Sequence, residues 1–559
     1  MPQTLKASCL MCSLQCGFAM EVDAGVPVRV DFDGDSPLAR GSLCARGHYN
    51  LELLLHPKRF LAATVNRRRV PWPTGVTKVA EKLNEIKNTH GADAIGVILG
   101  TELSNEDYET AAGFASGVLG TKNIGVAYDG NDYPFLMGGG AGDAVPEDID
   151  DADCFLLIGD VFWGHPCVSK RVIEARHKSR AHHIITINPY RSNTDWFADA
   201  HLQPNVGAEA LVLAAILKAM NAQGVPSVDV TQAAIAAGIE PADIDIVAKR
   251  LRQFKKVVVI TSSRFGDSAG GYLIGKLAAK IAGVVHGKYA PLFRGGNAIG
   301  AFKRIGSTKT VAEILKGVED KQIKALLVLG PDVLQLYPGA VSAADLEGLE
   351  FLAAGAAFEN DTTKHSDVGL PLAVWNEYPG TYDPSFGFAT SIERVVEPQG
   401  DGCAAGAMLK DIARDMGGSI GAAGGVEHPE LALEDEQVLA SMKAADGLTL
   451  VEGIHPLHRW DGTLTGRMSF PKAQTPYCEL WIGEEPAAAS GVEQGASVVV
   501  TTERGETQII ATVTDRMPGG VIAVPSYVPD ARGLMVWTLN PKTKWFDVTT
   551  SGVKVTPEG

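Results

Sequence analysis

The chain has 559 residues, of which 45% are hydrophobic and 21% charged, and its formal net charge is −16. This length allows about three or four domains with sizeable cores. The negative charge argues against nucleic acid or an anionic membrane as the main partner. No stretch reaches the roughly 18 to 20 apolar residues of a membrane span, and the N-terminal residues show no secretory leader or twin arginine. We therefore expect a cytoplasmic protein without a membrane span.

Four of the eight cysteines lie close to the N-terminus. Cys9, Cys12 and Cys16 fall within eight residues, and Cys44 follows after a further 27. Soft thiolates select zinc or iron–sulfur clusters. Three neighbouring thiolates and one distant thiolate suit a cubane, whereas zinc sites more often pair two Cys-x2-Cys units. The spacing favours an iron–sulfur cluster, with a zinc site or structural thiols as the alternatives.

Alternating stretches around these cysteines, Phe18–Val22 and Val28–Phe32, predict small antiparallel strands. Arg46 comes two residues after Cys44, in Cys44-Ala45-Arg46-Gly47. A cation beside a cluster would balance its negative charge and contact a second anionic cofactor. The alternative is an ordinary solvated arginine.

From about Trp72 onward, helical segments alternate with short apolar runs rich in Val, Ile and Leu. These runs are Ala94–Leu99, Cys154–Ile158, Ile184–Ile187, Val257–Ile260 and Leu326–Leu329. Runs of this kind, placed between helices such as Ala208–Asn221 and Gly271–Ala282, predict buried parallel strands in α/β units.

The Gly- and Ala-rich stretch 417–430 predicts a linker. After Leu448 the pattern changes to β-rich segments separated by Gly and Pro turns: Ser497–Thr502, Glu506–Thr514 and Gly520–Val524. This pattern predicts a small all-β barrel at the C-terminus.

Short polar motifs follow these elements in a fixed order. They are Cys44-Ala45-Arg46-Gly47, His56-Pro57-Lys58-Arg59, the acidic run 147–153, Asn188-Pro189-Tyr190-Arg191-Ser192, Ala198-Asp199, Gly207-Ala208-Glu209, Gly330-Pro331-Asp332, Asn360-Asp361-Thr362-Thr363, the segments 366–371 and 376–382, and Thr463-Leu464-Thr465-Gly466-Arg467. With its cysteine motif, the sequence resembles the bis-pterin-guanine-dinucleotide molybdenum/tungsten oxidoreductases over nearly its whole length. That family includes formate dehydrogenase, formylmethanofuran dehydrogenase and respiratory nitrate reductase.

The resemblance implies an α/β protein with a small iron–sulfur domain, two α/β pterin-binding domains and a C-terminal β-barrel of the double-psi type. We expect the 4Fe-4S domain at 1–60 and a discontinuous α/β domain at 61–145 and 350–416. The dinucleotide-binding α/β domain is expected at 146–349, the linker at 417–430 and the cofactor-capping barrel at 431–559.

The resemblance also implies the cofactors: one 4Fe-4S cluster and a bis-molybdopterin guanine dinucleotide carrying Mo or W. The expected cluster ligands are Cys9, Cys12, Cys16 and Cys44. The residues expected to bind the dinucleotides are Arg46, Asn188, Arg191, Ser192, Asp199, Gly207, Glu209, Gly330, Asp332, Thr362, Asp367, Thr465 and Arg467. The family typically has Asp where this chain has Asn188, and Gly-Thr-Asp where it has Gly207-Ala208-Glu209.

The loop Tyr128–Pro134 corresponds to the family segment that supplies the protein ligand of the metal. Formate and formylmethanofuran dehydrogenases have Cys or selenocysteine there, whereas this loop, like that of nitrate reductases, has an aspartate before proline. Carboxylate oxygen is a hard ligand that suits high-valent Mo or W. Asp132 is therefore the first candidate ligand and Asp129 the second, and a plain turn is the alternative.

Two further residues are candidates for catalysis. His165, in Gly164-His165-Pro166, resembles a His-Pro near the pterin in the family, and a structural histidine is the alternative. Arg294 is expected to line the substrate funnel with Asn297 and Arg304, because an arginine suits an anionic substrate.

The resemblance implies the catalytic subunit of a two-electron oxidoreductase, with one-carbon chemistry at the CO2, formate or formylmethanofuran level as the leading expectation. The alternatives are an oxyanion reductase with an Asp ligand and a metal-free electron relay like the large iron–sulfur subunit of respiratory complex I. A single cluster needs further electron carriers, and the sequence shows no flavin motif. Iron–sulfur or flavin electron-transfer subunits are thus the expected partners, together with a small-molecule substrate.

Overall fold

The computed structural model describes residues 2–264, 266–306, 309–429, 431, 433–442, 447–459 and 461–558. Its centre is formed by two separate sheets, one parallel and one mainly parallel, each covered by helices. A small β domain precedes them and a β-rich domain follows them. Within these described ranges, no helix combines the length and the apolar character that a membrane crossing requires.

The N-terminal domain is a three-stranded antiparallel sheet in chain order. Its strands are Gln3–Ser8, Gly17–Asp23 and Val26–Phe32. The middle strand buries every second side chain, Phe18, Met20 and Val22, as the period of two in a strand requires. Two single-turn helices follow, Ala45–His48 and Leu51–Leu54. Both strands predicted in this region are confirmed.

The first α/β domain contains a seven-stranded sheet. In spatial order its strands are Arg68–Arg69, Thr64–Val65, Val368–Pro371, Phe351–Ala356, Ala325–Leu329, Ile95–Leu99 and Ile124–Val126. The last five are parallel, and the two short edge strands are antiparallel. The helices of at least nine residues in this part of the chain are Trp72–His90, Asn105–Gly113, Val311–Glu319 and Ala405–Asp415.

The second α/β domain contains a five-stranded parallel sheet. Its strands, in spatial order, are Ala200–Leu202, His183–Ile187, Cys154–Ile158, Val257–Ser262 and Lys288–Leu292. Its helices are Pro146–Asp151, Pro166–His177, Glu209–Ala219, Val230–Ala236, Pro241–Gln253 and Ser268–Val284. The central strands are buried along their whole length, which explains their uninterrupted apolar sequence.

One strand joins a different sheet from the one expected. Ala325–Leu329 lies inside the expected dinucleotide domain, 146–349, yet it pairs with Ile95–Leu99 and Phe351–Ala356 of the first sheet. The expected boundary at 349 therefore does not follow the sheets. An apolar run carries no mark of which sheet it will join, because both sheets bury the same kinds of side chain.

The C-terminal domain is β-rich, as predicted. Its six-stranded mixed sheet runs Thr449–Gly453, Val521–Pro525, Glu479–Ile482, Gly505–Val513, Ser497–Thr502 and Lys554–Pro557. A hairpin of Val536–Asn540 and Trp545–Thr549 accompanies it. Upstream of this domain, residues 417–429 contain neither helix nor strand, and the ring of His428 stacks on Phe302 at 3.9 Å. Glu430, the last residue of the expected linker, lies outside the described residues.

Shorter elements connect these domains. The strands are Gly380–Tyr382 and Thr390–Ile392, and the helices are Asp132–Gly139, Val161–Gly164, Ala298–Arg304, Val333–Leu336, Ala343–Glu347, Asp361–Lys364, Asp435–Ser441, Ser469–Gln474, Glu484–Ala489 and Pro529–Gly533. The 3-10 helices are Ala92–Ala94, Asp195–Phe197 and Thr465–Arg467, and Phe114–Leu119 is a π-helix.

Candidate functional site

The four N-terminal cysteines lie close enough together for their thiols to interact. The N–H of Cys9 donates to the carbonyl of Cys16 over 3.0 Å, and Gln15, with a φ of 49°, turns the chain between them. Burial raises the pKa of the Cys9 thiol, and the nearby Cys44 and Cys12 thiols raise this pKa further. Buried, crowded thiols become stable as thiolates when they bind a metal centre, so the residues fit the predicted cluster.

Arg46 is fully buried beside these cysteines. Its Nη2 donates to the carbonyl of Gly164 over 2.6 Å, and its Nη1 lies 3.5 Å from the carbonyl of His458. Burial acts to lower the guanidinium pKa, but the Cys44 and Cys12 thiols outweigh burial and raise it. The solvated alternative is therefore wrong: Arg46 joins the cysteine site to the second α/β domain and the C-terminal domain.

A first cavity lies at the carboxyl edge of the seven-stranded sheet. The chain enters it directly after Ile95–Leu99, Ala325–Leu329 and Phe351–Ala356, and the C-terminal domain covers it. Its polar lining consists of Thr101, Glu102, Asp129, Asp332, Asn360, Arg459, Asp461, Thr463 and Arg467. The carboxyl ends of parallel strands are the usual place for a ligand in such a sheet.

A second cavity lies at the carboxyl edge of the five-stranded sheet. Gly207, Glu209 and Arg264 line it, together with Gly266, Gly270 and Gly271 at the start of the helix Ser268–Val284. The backbone N–H groups of residues 268–271 at this helix start already donate to Asp267 and Asp547, so the positive charge in this lining comes from Arg264. The strand Thr449–Gly453 of the C-terminal domain covers this cavity.

The two cavities fit a cofactor with two dinucleotide arms. Three residues that line them have a buried polar atom without a hydrogen-bond partner in the described part of the chain: Nε of Arg459 and of Arg467 at the first cavity, and Oγ of Ser262 at the second. Because unsatisfied buried polar atoms are costly in a native protein, they indicate polar ligand atoms.

A cluster of four buried charges separates the cavities. Asp129 lines the first cavity and accepts from Arg532 over 2.9 Å, while Arg294 lies 3.9 Å from Asp129. Arg294 also donates to Glu452 over 2.6 Å, and Glu452 lines the second cavity. Burial raises the pKa of Asp129, and Arg532 and Arg294 oppose that rise.

Asp132, the first candidate ligand, does not line either cavity. It begins the helix Asp132–Gly139, where one oxygen accepts from the backbone N–H groups of Arg294 (2.9 Å) and Gly295 (3.2 Å), and the other from Ser263 Oγ. Burial raises its pKa to about 7. This placement counts against Asp132 as the metal ligand, because both oxygens are already committed within the protein. Asp129, the second candidate, lines the first cavity and remains a candidate ligand.

His165 and Arg294 also differ from expectation. His165 is fully buried, its Nε2–H donates to the carbonyl of Phe293 over 3.0 Å, and burial lowers its pKa to about 3, so the imidazole is neutral. Arg294 does not line a funnel, because its guanidinium forms a two-pronged pair with Glu452. Asn297 and Arg304 likewise bind protein groups, Leu103 and Asp383.

Six of the residues expected to bind dinucleotide remain candidates, although both oxygens of Asp332 already accept hydrogen bonds from Asp361 and Thr362. Gly330, Asp332 and Arg467 line the first cavity, and Gly207 and Glu209 the second. Asn188 follows the strand His183–Ile187, and its buried amide nitrogen has no hydrogen-bond partner among the described residues. Their contacts to a cofactor remain predictions.

Two other residues that were expected to bind dinucleotide already form hydrogen bonds within the protein. Asp199 forms a two-pronged pair with Arg176 (2.6 and 2.8 Å) near the surface. Asp367 accepts from the N–H of Leu352, at the opposite edge of the first sheet. Both carboxylates lie at the amino end of a strand, whereas the two cavities lie at the carboxyl edges of the sheets. These two acidic residues are therefore badly placed to bind dinucleotide.

The remaining expected residues support the loops around the cavities. Ser192 bonds to Asp160 and Asp195, Thr362 to Asp332, and Thr465 accepts from the N–H of Arg459. Arg191 is exposed and contacts Arg516 through its backbone. None of these four lines either cavity in the described structure.

Sequence reasoning missed Arg459, Glu452, Arg532 and Arg264. Arg459 lies four residues before Thr463 and could have been found from that motif. Glu452 and Arg532 come from the C-terminal domain and meet Arg294 and Asp129 only in the folded chain, so no local sequence signal marks them.

Comparison with known proteins agrees with this arrangement. A family model described as molybdopterin oxidoreductase matches residues 66–414. A model described as molybdopterin oxidoreductase Fe4S4 domain matches 2–56, and one described as molydopterin dinucleotide binding domain matches 448–553.

Three curated proteins illustrate the similarity. The NADPH-Fe(3+) oxidoreductase subunit alpha of Geobacter sulfurreducens is 24% identical, over 94% of this chain and 72% of its own length. A nitrate reductase of Klebsiella oxytoca is 23% identical, over 78% and 57%. A formate dehydrogenase subunit alpha of Methanocaldococcus jannaschii is 23% identical, over 73% and 70%.

Among solved structures, acetylene hydratase from Pelobacter acetylenicus superimposes with a TM-score of 0.78. The superposition covers 99% of each chain at 14% sequence identity. This similarity shows a shared fold.

Proposed function

Because the chain belongs to the molybdopterin oxidoreductase family, we propose that it catalyses a two-electron redox reaction of a small anionic substrate at a metal held beside Asp129. The observation that carries this proposal is the position of Asp129. It lines one cavity and connects to the other through Arg294 and Glu452.

The family domains imply a 4Fe-4S cluster and a bis-molybdopterin guanine dinucleotide carrying Mo or W. When bound, this metal centre supplies the two-electron exchange with substrate. Cys9, Cys12, Cys16 and Cys44 would hold the cluster. The residues that line the two cavities would hold the two dinucleotide arms, and Asp129 would ligate the metal.

The chain's own residues prepare this site. Arg532 and Arg294 place positive charge beside the buried Asp129 and favour its carboxylate form, which a metal ligand requires. Arg46 places a permanent positive charge between the cysteine site and the second α/β domain. The C-terminal domain covers both cavities and limits the access of water.

Two substrate classes follow from the sequence and the relatives. One-carbon chemistry at the formate and CO2 level is the first candidate, supported by the formate dehydrogenase relative. Oxyanion reduction is the second, and it is favoured by a carboxylate at the cavity and by the nitrate reductase relative. The relay alternative is disfavoured because the chain retains both polar cavities.

A dye-linked assay separates the two candidates. Purified protein is supplied with formate and an oxidised viologen, or with nitrate and a reduced viologen. Formate-dependent dye reduction supports the first candidate, and nitrate-dependent dye oxidation supports the second. Turnover of neither anion by protein that contains Mo or W would contradict both substrate assignments.

Partner subunits complete the proposal. Two of the relatives are named as alpha subunits, and a single cluster can pass electrons only to another carrier. Subunits bearing iron–sulfur clusters or flavin are the proposed partners, and the cytoplasm is the proposed location.

A further inference from the structure

The two carboxylate oxygens of Asp129 have different surroundings. Oδ1 accepts from Nη2 of Arg532 over 2.9 Å, and Nη1 of Arg294 lies 3.9 Å from the same oxygen. No hydrogen bond or ion pair to Oδ2 comes from the residues that the structure describes. Since Asp129 lines the first cavity, Oδ2 is the oxygen that remains available to a ligand there.

The backbone on either side of Asp129 is held in place. Tyr337 Oη donates to the carbonyl of Tyr128 over 2.6 Å, and Trp545 Nε1 donates to the carbonyl of Gly130 over 3.0 Å. These contacts leave the rotation of the carboxylate itself undetermined, because the terminal torsion of an aspartate has a broad range. The hydrogen bond at Oδ1 is therefore the contact that selects one orientation of the carboxylate.

Arg532 is suited to fix this rotation, because it is itself held by a second contact. It is fully buried in the short helix Pro529–Gly533 of the C-terminal domain, and its Nη2 also donates to the carbonyl of Leu336 over 3.1 Å. Arg294 cannot fix the rotation in the same way, because its 3.9 Å separation from Asp129 exceeds hydrogen-bonding distance. The C-terminal domain thus supplies the residue that orients a side chain of the first cavity.

We propose that Arg532 is a positioning residue, whose hydrogen bond to Oδ1 turns the Asp129 carboxylate so that Oδ2 alone binds the metal. This inference rests on the proposed function, because it takes Asp129 as the ligand. A carboxylate that binds through one oxygen leaves a coordination position open, and catalytic metal sites keep such a position for water or substrate. Partners that orient metal ligands typically change metal affinity or activity by about 10- to 100-fold when they are mutated.

The test uses the full chain with the variants Arg532→Met, Arg532→Lys and Asp129→Asn, and with Arg171→Met as the control. Methionine removes the donor, and lysine keeps the positive charge without the planar fork of arginine. Arg171 is a matched control because it is also buried and binds one carboxylate, that of Asp150, and two backbone carbonyls. The readouts are iron and Mo or W per chain, and the g-values of the EPR signal of the partly reduced Mo or W centre without substrate.

Both Arg532 variants and Arg171→Met should retain the wild-type content of iron and of Mo or W. The g-values should shift in Arg532→Met, because the released carboxylate can rotate and bind through both oxygens. They should shift less in Arg532→Lys, and they should equal the wild-type values in Arg171→Met.

Wild-type g-values in both Arg532 variants would overturn the proposal, and where only one of these variants retains Mo or W, its g-values decide. If the g-values of Asp129→Asn do change, only the positioning role fails and Asp129 remains the ligand. If Asp129→Asn also has wild-type g-values, the ligand assignment of the proposed function fails as well. Loss of Mo or W from both Arg532 variants would likewise overturn the proposal, since Arg532 would then serve cofactor binding rather than orientation.

Discussion

At the scale of single residues, Asp129 and Asp132 have different surroundings although they lie three positions apart in one loop. Asp129 faces the first cavity, whereas Asp132 is enclosed by Ser263, Arg294 and Gly295. Replacing Asp129 by Asn should lower turnover by at least about a hundredfold, since even residues that only support metal ligands cost about 10- to 100-fold when mutated. Iron content should not change. Turnover close to wild type in Asp129→Asn, with Mo or W retained, would contradict the ligand assignment.

Asp132 should instead control the pH dependence of stability. Burial raises its pKa to about 7 in the folded protein, above the ordinary value of about 4. Its contribution to stability is therefore present below pH 4 and is lost as the pH rises through 7, a difference of about 4 kcal/mol. Asp132→Asn cannot ionise. Denaturant unfolding measures the free energy of unfolding at pH 5 and at pH 8. This free energy should fall more between pH 5 and pH 8 for wild type than for Asp132→Asn, and equal falls would refute this role.

At the scale of elements, the ion pair of Arg294 and Glu452 ties the second sheet to the C-terminal domain. Glu452→Leu leaves a buried guanidinium without its carboxylate and should destabilise the protein by about 3–5 kcal/mol. The double variant Arg294→Met/Glu452→Leu should recover much of this loss, because apolar residues often replace a buried pair without cost. Urea denaturation measures the free energy of unfolding of the single and the double variant. The exposed pair of Lys316 and Asp320 is the control, and Lys316→Ala should leave the free energy of unfolding nearly unchanged because exposed pairs contribute little.

The elements themselves are largely predictable from the sequence, and the reason is burial. Cys154–Ile158 and Val257–Ser262 are covered on both faces and are therefore uninterrupted apolar runs. The sheet that Ala325–Leu329 joins is not predictable, since apolar runs look alike in both sheets. The choice between Asp129 and Asp132 is not predictable either, because it depends on where the distant backbone of residues 294–295 lies.

At the scale of the whole molecule, the C-terminal domain covers one cavity at the edge of each sheet. Cofactor bound in both cavities would therefore join the two α/β domains to the C-terminal domain. Protein made without the molybdopterin cofactor should unfold more easily than loaded protein, since a ligand present at a thousand times its Kd stabilises the native state by about 4 kcal/mol. Thermal unfolding of the two preparations checks this expectation. Equal unfolding temperatures would mean that the cavities do not hold the cofactor.

Metal and nucleotide analysis of the purified chain decides whether it carries both the cluster and the pterin dinucleotides. We expect about four iron atoms, one Mo or W atom and two guanine nucleotides per chain, the nucleotides being released by acid hydrolysis. Cys16→Ser should lower the iron content, whereas the matched control Cys403→Ala should keep the wild-type iron content. Iron without Mo or W and without guanine nucleotide would contradict the account and would make the chain an electron relay.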